Sequence, residues 1–76
     1  MELKEELKNS KRYEYDETET TFNSHKYKSS IVFLDDVDMI EYIVYPDANP
    51  EGHVLFTITY DISLDKLEKI IDIVEG

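Results

Sequence analysis

The chain contains no cysteine, one arginine and one alanine, and residues 29–65 include neither lysine nor arginine. It also has no long apolar run. Each shortage closes off a class of protein. Without thiols there is no disulfide framework and no thiolate metal site. Without a long apolar run there is no candidate membrane-spanning helix, and the opening MELKEELK lacks the apolar centre of a secretory signal. The expected compartment is therefore the cytoplasm. Motifs for catalysis or cofactor binding are missing too. His25 and His53 are the only imidazoles, and neither belongs to a spaced His/Glu or Ser/His/Asp arrangement. Two histidines without cysteine cannot close a zinc site unless carboxylates join them. The expectation is a protein without enzymatic activity, cofactor or metal. Scarce Ala and Arg beside abundant Ile, Lys and Tyr suggest an AT-rich genome.

What is present is acid. Eighteen Asp and Glu stand against eight Lys and Arg, a net charge of −10. Such a field repels nucleic acid and anionic membranes and steers the chain toward cationic partners. The base-free span holds Asp35, Asp36, Asp38, Glu41, Asp47, Glu51, Asp61 and Asp65, while the bases sit in the N-terminal third and on the last segment. The 76 residues are enough for a single small domain spanning 1–76. A chain of this size buries roughly 60% of its unfolded surface, so the core is thin and leaves little room for a concave pocket.

The pattern predicts an α+β fold. Residues 1–9 read as a short helix with Leu3 and Leu7 four apart, which must dock or fray. Four strand-like runs follow, over 11–21, 26–34, 38–45 and 53–60. They are separated by the turn chemistry of Phe22-Asn23-Ser24-His25, of Asp35-Asp36, and of a loop ending Asn49-Pro50-Glu51-Gly52. The last run alternates, with Val54, Phe56, Ile58 and Tyr60 on one face. Ser63 reads as the N-cap of a final helix whose Leu64, Leu67, Ile70, Ile71 and Val74 form one apolar stripe, and Gly76 as its stop. The architecture expected is a four-stranded antiparallel meander in the order 1-2-3-4. The C-terminal helix packs on one face, and a short N-terminal helix accompanies it.

In a meander the turns alternate between ends. Asp35, Asp36, Asp38, Asp61 and Asp65 should therefore gather on one rim, with Lys11 and Arg12 at that same end across the sheet. The segment YEYDETETT would add Glu14 and Asp16 on one strand face and Glu17 and Glu19 on the other, about 6.7 Å between same-face neighbours. Tyr13 and Tyr15, among these acids, bring contact area and a polar tip at low entropy cost. Two readings follow. One is a solvated strand whose charges discourage further edge pairing. The other, which we adopt as the functional expectation, is a docking surface for a basic, nucleic-acid-binding groove of a partner protein, in the manner of a DNA mimic. Its contact residues are Tyr13, Glu14, Tyr15, Asp16, Glu17, Glu19, Asp35, Asp36, Asp38, Asp61 and Asp65. The chain resembles, in character only, the small acidic inhibitors with which phages of AT-rich bacteria disarm host nucleases. An assembly module is the alternative: a homodimer joined through the first strand or the uncovered sheet face, with Tyr13, Tyr15 and Tyr27 buried between copies. Asp36-Val37-Asp38 offers two carboxylates on one side but no calcium-loop spacing with glycine.

Overall fold

The computed structural model describes residues 2–76. Its elements run α1 (Leu3–Asn9), β1 (Tyr13–Asp16), β2 (Thr21–Ser24), β3 (Ser29–Leu34), β4 (Met39–Val44), β5 (His53–Thr59) and α2 (Leu64–Glu75). The strands form one antiparallel sheet in the order β1-β2-β3-β4-β5. The expected class and meander hold, but the sheet has five strands, not four.

The extra strand comes from a turn hidden inside 11–21. The Asp16 carboxylate accepts the backbone N–H groups of Thr18 at 3.0 Å and Glu19 at 3.3 Å, and Thr20 takes a left-handed φ of 51°. An aspartate that captures the N–H groups two and three residues ahead folds the chain back on itself. Phe22-Asn23-Ser24, expected to form the first turn, is strand β2 instead. The chain reverses after it because the Ser24 hydroxyl accepts from the backbone of Lys26 at 3.2 Å and of Tyr27 at 3.1 Å. The later turns fall where expected. Val37 N–H bonds to the Leu34 carbonyl at 3.2 Å, and Gly52 N–H to Asn49 at 3.0 Å.

Register explains the core. Tyr15 lies opposite Phe22, Phe22 opposite Ile31, Ile31 opposite Tyr42 and Tyr42 opposite Phe56, so one apolar row crosses all five strands. Phe33, Ile40 and Ile58 form a second row. The first row is knit by rings, with Tyr15 and Phe22 centroids 4.7 Å apart and Tyr42 and Phe56 5.1 Å apart. Leu3 and Leu7 from α1 and Leu67 and Ile71 from α2 are buried with it in one cluster. Aromatic cross-strand pairs of this kind stabilise a sheet beyond their buried area.

Helix α2 is capped as its sequence predicts. The Ser63 hydroxyl accepts from Lys66 N–H at 3.3 Å, and Gly76 N–H closes the helix on the Asp72 carbonyl at 3.0 Å. Its docking is narrower than the full stripe. Leu67 and Ile71 are buried, Leu64 is half-buried against the core, Ile70 is half-buried, and Val74 is exposed. Phe56 and Ile58 on β5, and Tyr60 just beyond it, pack against the core as expected, but Val54 does not. A bulge shifts the β4–β5 register between Tyr42 and Ile43, so Leu55 is left without a partner and Val54 pairs with Ile43. A bulge twists its strand and spoils strict alternation, which takes Val54 out of the packed face.

Candidate functional site

With five strands, the parity of the turns changes. The β1–β2 turn (17–20), the β3–β4 turn (35–38) and the exit from β5 (60–63) all lie at one end of the sheet, and the β2–β3 and β4–β5 turns at the other. Glu17 and Glu19 are therefore not on the strand face opposite Glu14 and Asp16, because the strand ends at Asp16. They occupy an exposed turn at the same end as Asp35, Asp36, Asp38 and Asp61, with Asp16 at its base. Neighbouring strands are about 4.8 Å apart, so this rim spans roughly 19 Å from β1 to β5. Asp65, in the first turn of α2, rises from the same end.

The same change of parity moves the bases away. Lys11 and Arg12, expected at the aspartate end, precede β1 and so sit at the opposite end, together with the β2–β3 turn that carries Lys26 and Lys28. There three of these four cations are engaged, Lys11 being the exception among the described residues. Arg12 forks between Glu68 and Asp72, the latter at 3.2 Å. Lys26 also reaches Asp72 at 3.5 Å, Tyr27 donates its hydroxyl to it at 2.9 Å, and Lys28 contacts Asp47 at 2.6 Å. The hydrogen bond from Tyr27, joined by the charges of Lys26 and Arg12, holds the Asp72 carboxyl below its ordinary range. Lys28 does the same to Asp47.

At the acidic rim the cations are few. Lys4 lies 3.9 Å from Asp35, Lys69 lies 3.5 Å from Asp65 on the next helical turn, and Lys66, exposed beside Asp65 in the first turn of α2, joins no ion pair among the described residues. Among the described residues, Asp16, Glu17, Glu19, Asp36, Asp38 and Asp61 join no ion pair. Asp38 is held in place by two features: its φ of 56°, a region aspartate tolerates, and the Tyr60 hydroxyl, which donates to its carboxylate at 2.8 Å. That hydrogen bond to a carboxylate raises the Tyr60 phenol above its ordinary value. The acids are spread along the rim. Among the described residues no three Asp, Glu or His side chains group as a metal would require.

Between α1 and the rim lies a groove of about 890 Å³, lined among others by Lys4, Phe33, Asp35, Asp38, Tyr60 and Asp61. The Lys4 ammonium sits 5.0 Å above the centre of the Phe33 ring, whose own centroid is 6.2 Å from that of Tyr60. Sequence reasoning missed this groove, because Lys4 and Phe33 meet only through the docking of α1.

The remaining predicted contact residues fall elsewhere. Glu14 is exposed in the middle of β1, away from the rim. Tyr13 is only 7% exposed and belongs to the core. Tyr15 is half-buried against Phe22, with the Lys8 ammonium 5.0 Å over its ring. The alternation that set both tyrosines on one face of the strand is right. That face is the one the helices cover, so their rings serve packing. Tyr27, the third tyrosine of the assembly reading, also packs against the core and ties to Asp72. Comparisons with known proteins return no match: no family model fits the chain, and no curated protein or solved structure resembles it significantly. Among the described residues no helix is long and apolar enough to cross a membrane.

Proposed function

We propose that this chain is a small binding protein without enzymatic activity, which uses its acidic rim to occupy a basic, nucleic-acid-binding surface on another protein. The observation that carries the reading is the segregation of charge. Among the described residues, six unpaired carboxylates at one end of the sheet come from two separate turns and from the exit of β5, while Arg12, Lys26 and Lys28 are drawn into ion pairs at the other end. Exposed charges that no neighbour cancels project a field beyond the surface, and such a field accelerates encounter with an oppositely charged partner. The rim is extended along the sheet end, which suits the elongated path of a phosphate backbone better than a single chelated ion.

The contact residues in this reading are Asp16, Glu17, Glu19, Asp35, Asp36, Asp38 and Asp61, with Tyr60, which holds Asp38, as the aromatic beside them in place of Tyr13 and Tyr15. The test uses a basic DNA-binding protein with a labelled duplex already bound. At low ionic strength the wild-type chain should displace the duplex, and added salt should abolish the displacement. The paired charge reversals Glu17→Lys with Glu19→Lys, and Asp36→Lys with Asp38→Lys, should each slow association about tenfold or more. Equal displacement by both double variants and wild type at low salt refutes the proposal.

A further inference from the structure

The two edges of the sheet are built differently. The β1 edge has four residues, two of them the charged Glu14 and Asp16, with Lys11 and Arg12 just ahead. Short length and charge are the usual guards against pairing with another strand. The β5 edge has neither. It runs seven residues as HVLFTIT, and the run Gly52 to Tyr60 is the longest in the chain without Asp, Glu, Lys or Arg. Val54 and Leu55 on it are 45% and 41% exposed. Among the described residues no segment pairs along its outer side. The one guard is the bulge beside Val54 and Leu55, which leaves Phe56–Thr59 regular.

We infer that β5 pairs antiparallel with β5 of a second copy of this chain, joining two five-stranded sheets into one of ten strands. The outer edge of β5 presents a row of alternating N–H and C=O groups that a second strand can pair, and the β5 of another copy presents the same unguarded row. Charge selects the edge and the orientation. Two chains of −10 repel, so self-association needs a surface free of acid, and β5 is the longest such stretch. Antiparallel pairing about a two-fold axis sends the two acidic rims to opposite ends of the joined sheet, whereas parallel pairing would set them side by side. The same axis brings both helix layers to one face. Glu68 and Asp72 reach Arg12 from one flank of α2, and helical spacing sets Ile70 and Val74 on the other flank. Val74 is 46% exposed. The guarded β1 edges stop assembly at two. This inference does not depend on the partner proposed above, since a dimer of this form leaves both rims free.

The test is sedimentation velocity over about a hundredfold dilution, run on wild type and on the double variant Val54→Lys with Leu55→Lys. Both substituted side chains are exposed, so the variant should keep the wild-type circular dichroism spectrum and melt. Wild type should sediment at twice the 9.0 kDa chain mass when concentrated, and added salt should strengthen the dimer by screening the two like-charged bodies. The double variant should dissociate at least tenfold more readily. Hydrogen exchange on wild type gives a second reading that needs no variant: β5 amides should gain protection with concentration while β1 amides do not. A wild-type monomer throughout, a dimer indifferent to the two lysines, protection confined to β1, or assembly beyond two would each overturn the inference.

Discussion

Replacing Ile71 by alanine probes whether α2 is held by the part of its stripe centred on Leu67 and Ile71 rather than by all of it. Ile71 is 1% exposed within the core cluster, while Ile73, two residues on, is 78% exposed. Truncation at 71 removes roughly three carbons, worth about 2.4 kcal/mol of transfer free energy. A cavity term brings the cost to about 3–4 kcal/mol, within the range of measured core truncations. A domain of this length has a total stability of about 4–11 kcal/mol, so the variant should lose about a quarter or more of it. The assay is urea denaturation followed by far-ultraviolet circular dichroism. With a slope of about 1 kcal/mol per molar for so small a protein, the midpoint should fall by about 3 M. Ile73→Ala should change stability by no more than about 0.5 kcal/mol. If the two variants shift the midpoint alike, or Ile71→Ala costs less than about 1 kcal/mol, the helix does not dock as described.

Other perturbations test other parts of the fold. Thr20→Gly should raise stability by about 0.5–1 kcal/mol in the same titration, because a β-branched residue at φ 51° is strained and glycine there is not. Gly52→Ala should lower it: φ is +85°, and a new Cβ would stand 2.6 Å from the Tyr45 ring. Stability should also fall at both extremes of pH. Asp72 and Asp47 have native pKa values below the ordinary carboxylate range. Their contribution is therefore present above about pH 4 and lost as pH falls through the native values, and Asp72→Asn should flatten that acid limb. Burial lifts the Tyr13 and Tyr42 phenols to about 12, so unfolded tyrosines ionise first and stability should decline from about pH 10 upward. Tyr13→Phe should blunt that alkaline limb, since the Tyr13 hydroxyl is buried without a hydrogen-bond partner.

Much of this fold was legible in the sequence because its signals are local. The Ser63 cap, the Gly76 stop, the Leu3 and Leu7 pair and the Asn49 to Gly52 turn each rest on a few adjacent residues, and each appears as read. The β1–β2 hairpin was not legible. Thr18, Thr20 and Thr21 have the β-branched side chains of a strand, and they mask a reversal that depends on which backbone N–H groups the Asp16 carboxylate captures. One hidden turn inverted the parity of the chain and placed Lys11 and Arg12 at the wrong end. The aspartates of the second expected turn and of the last strand's exit stayed together, because two turns separated by two strands share an end whatever precedes them. The tyrosines were misjudged for a different reason: alternation gives a shared face but not which face the helices cover.

Whether carboxylates distant in sequence form one coherent negative rim is open to a backbone amide titration by nuclear magnetic resonance, with an oligolysine peptide at low salt. Shifts should concentrate at 16–20, 35–38 and 60–61, and they should disappear together as salt is added. Shifts spread evenly over all the acids, or centred on Asp47 and Asp72 at the opposite end, would contradict the rim.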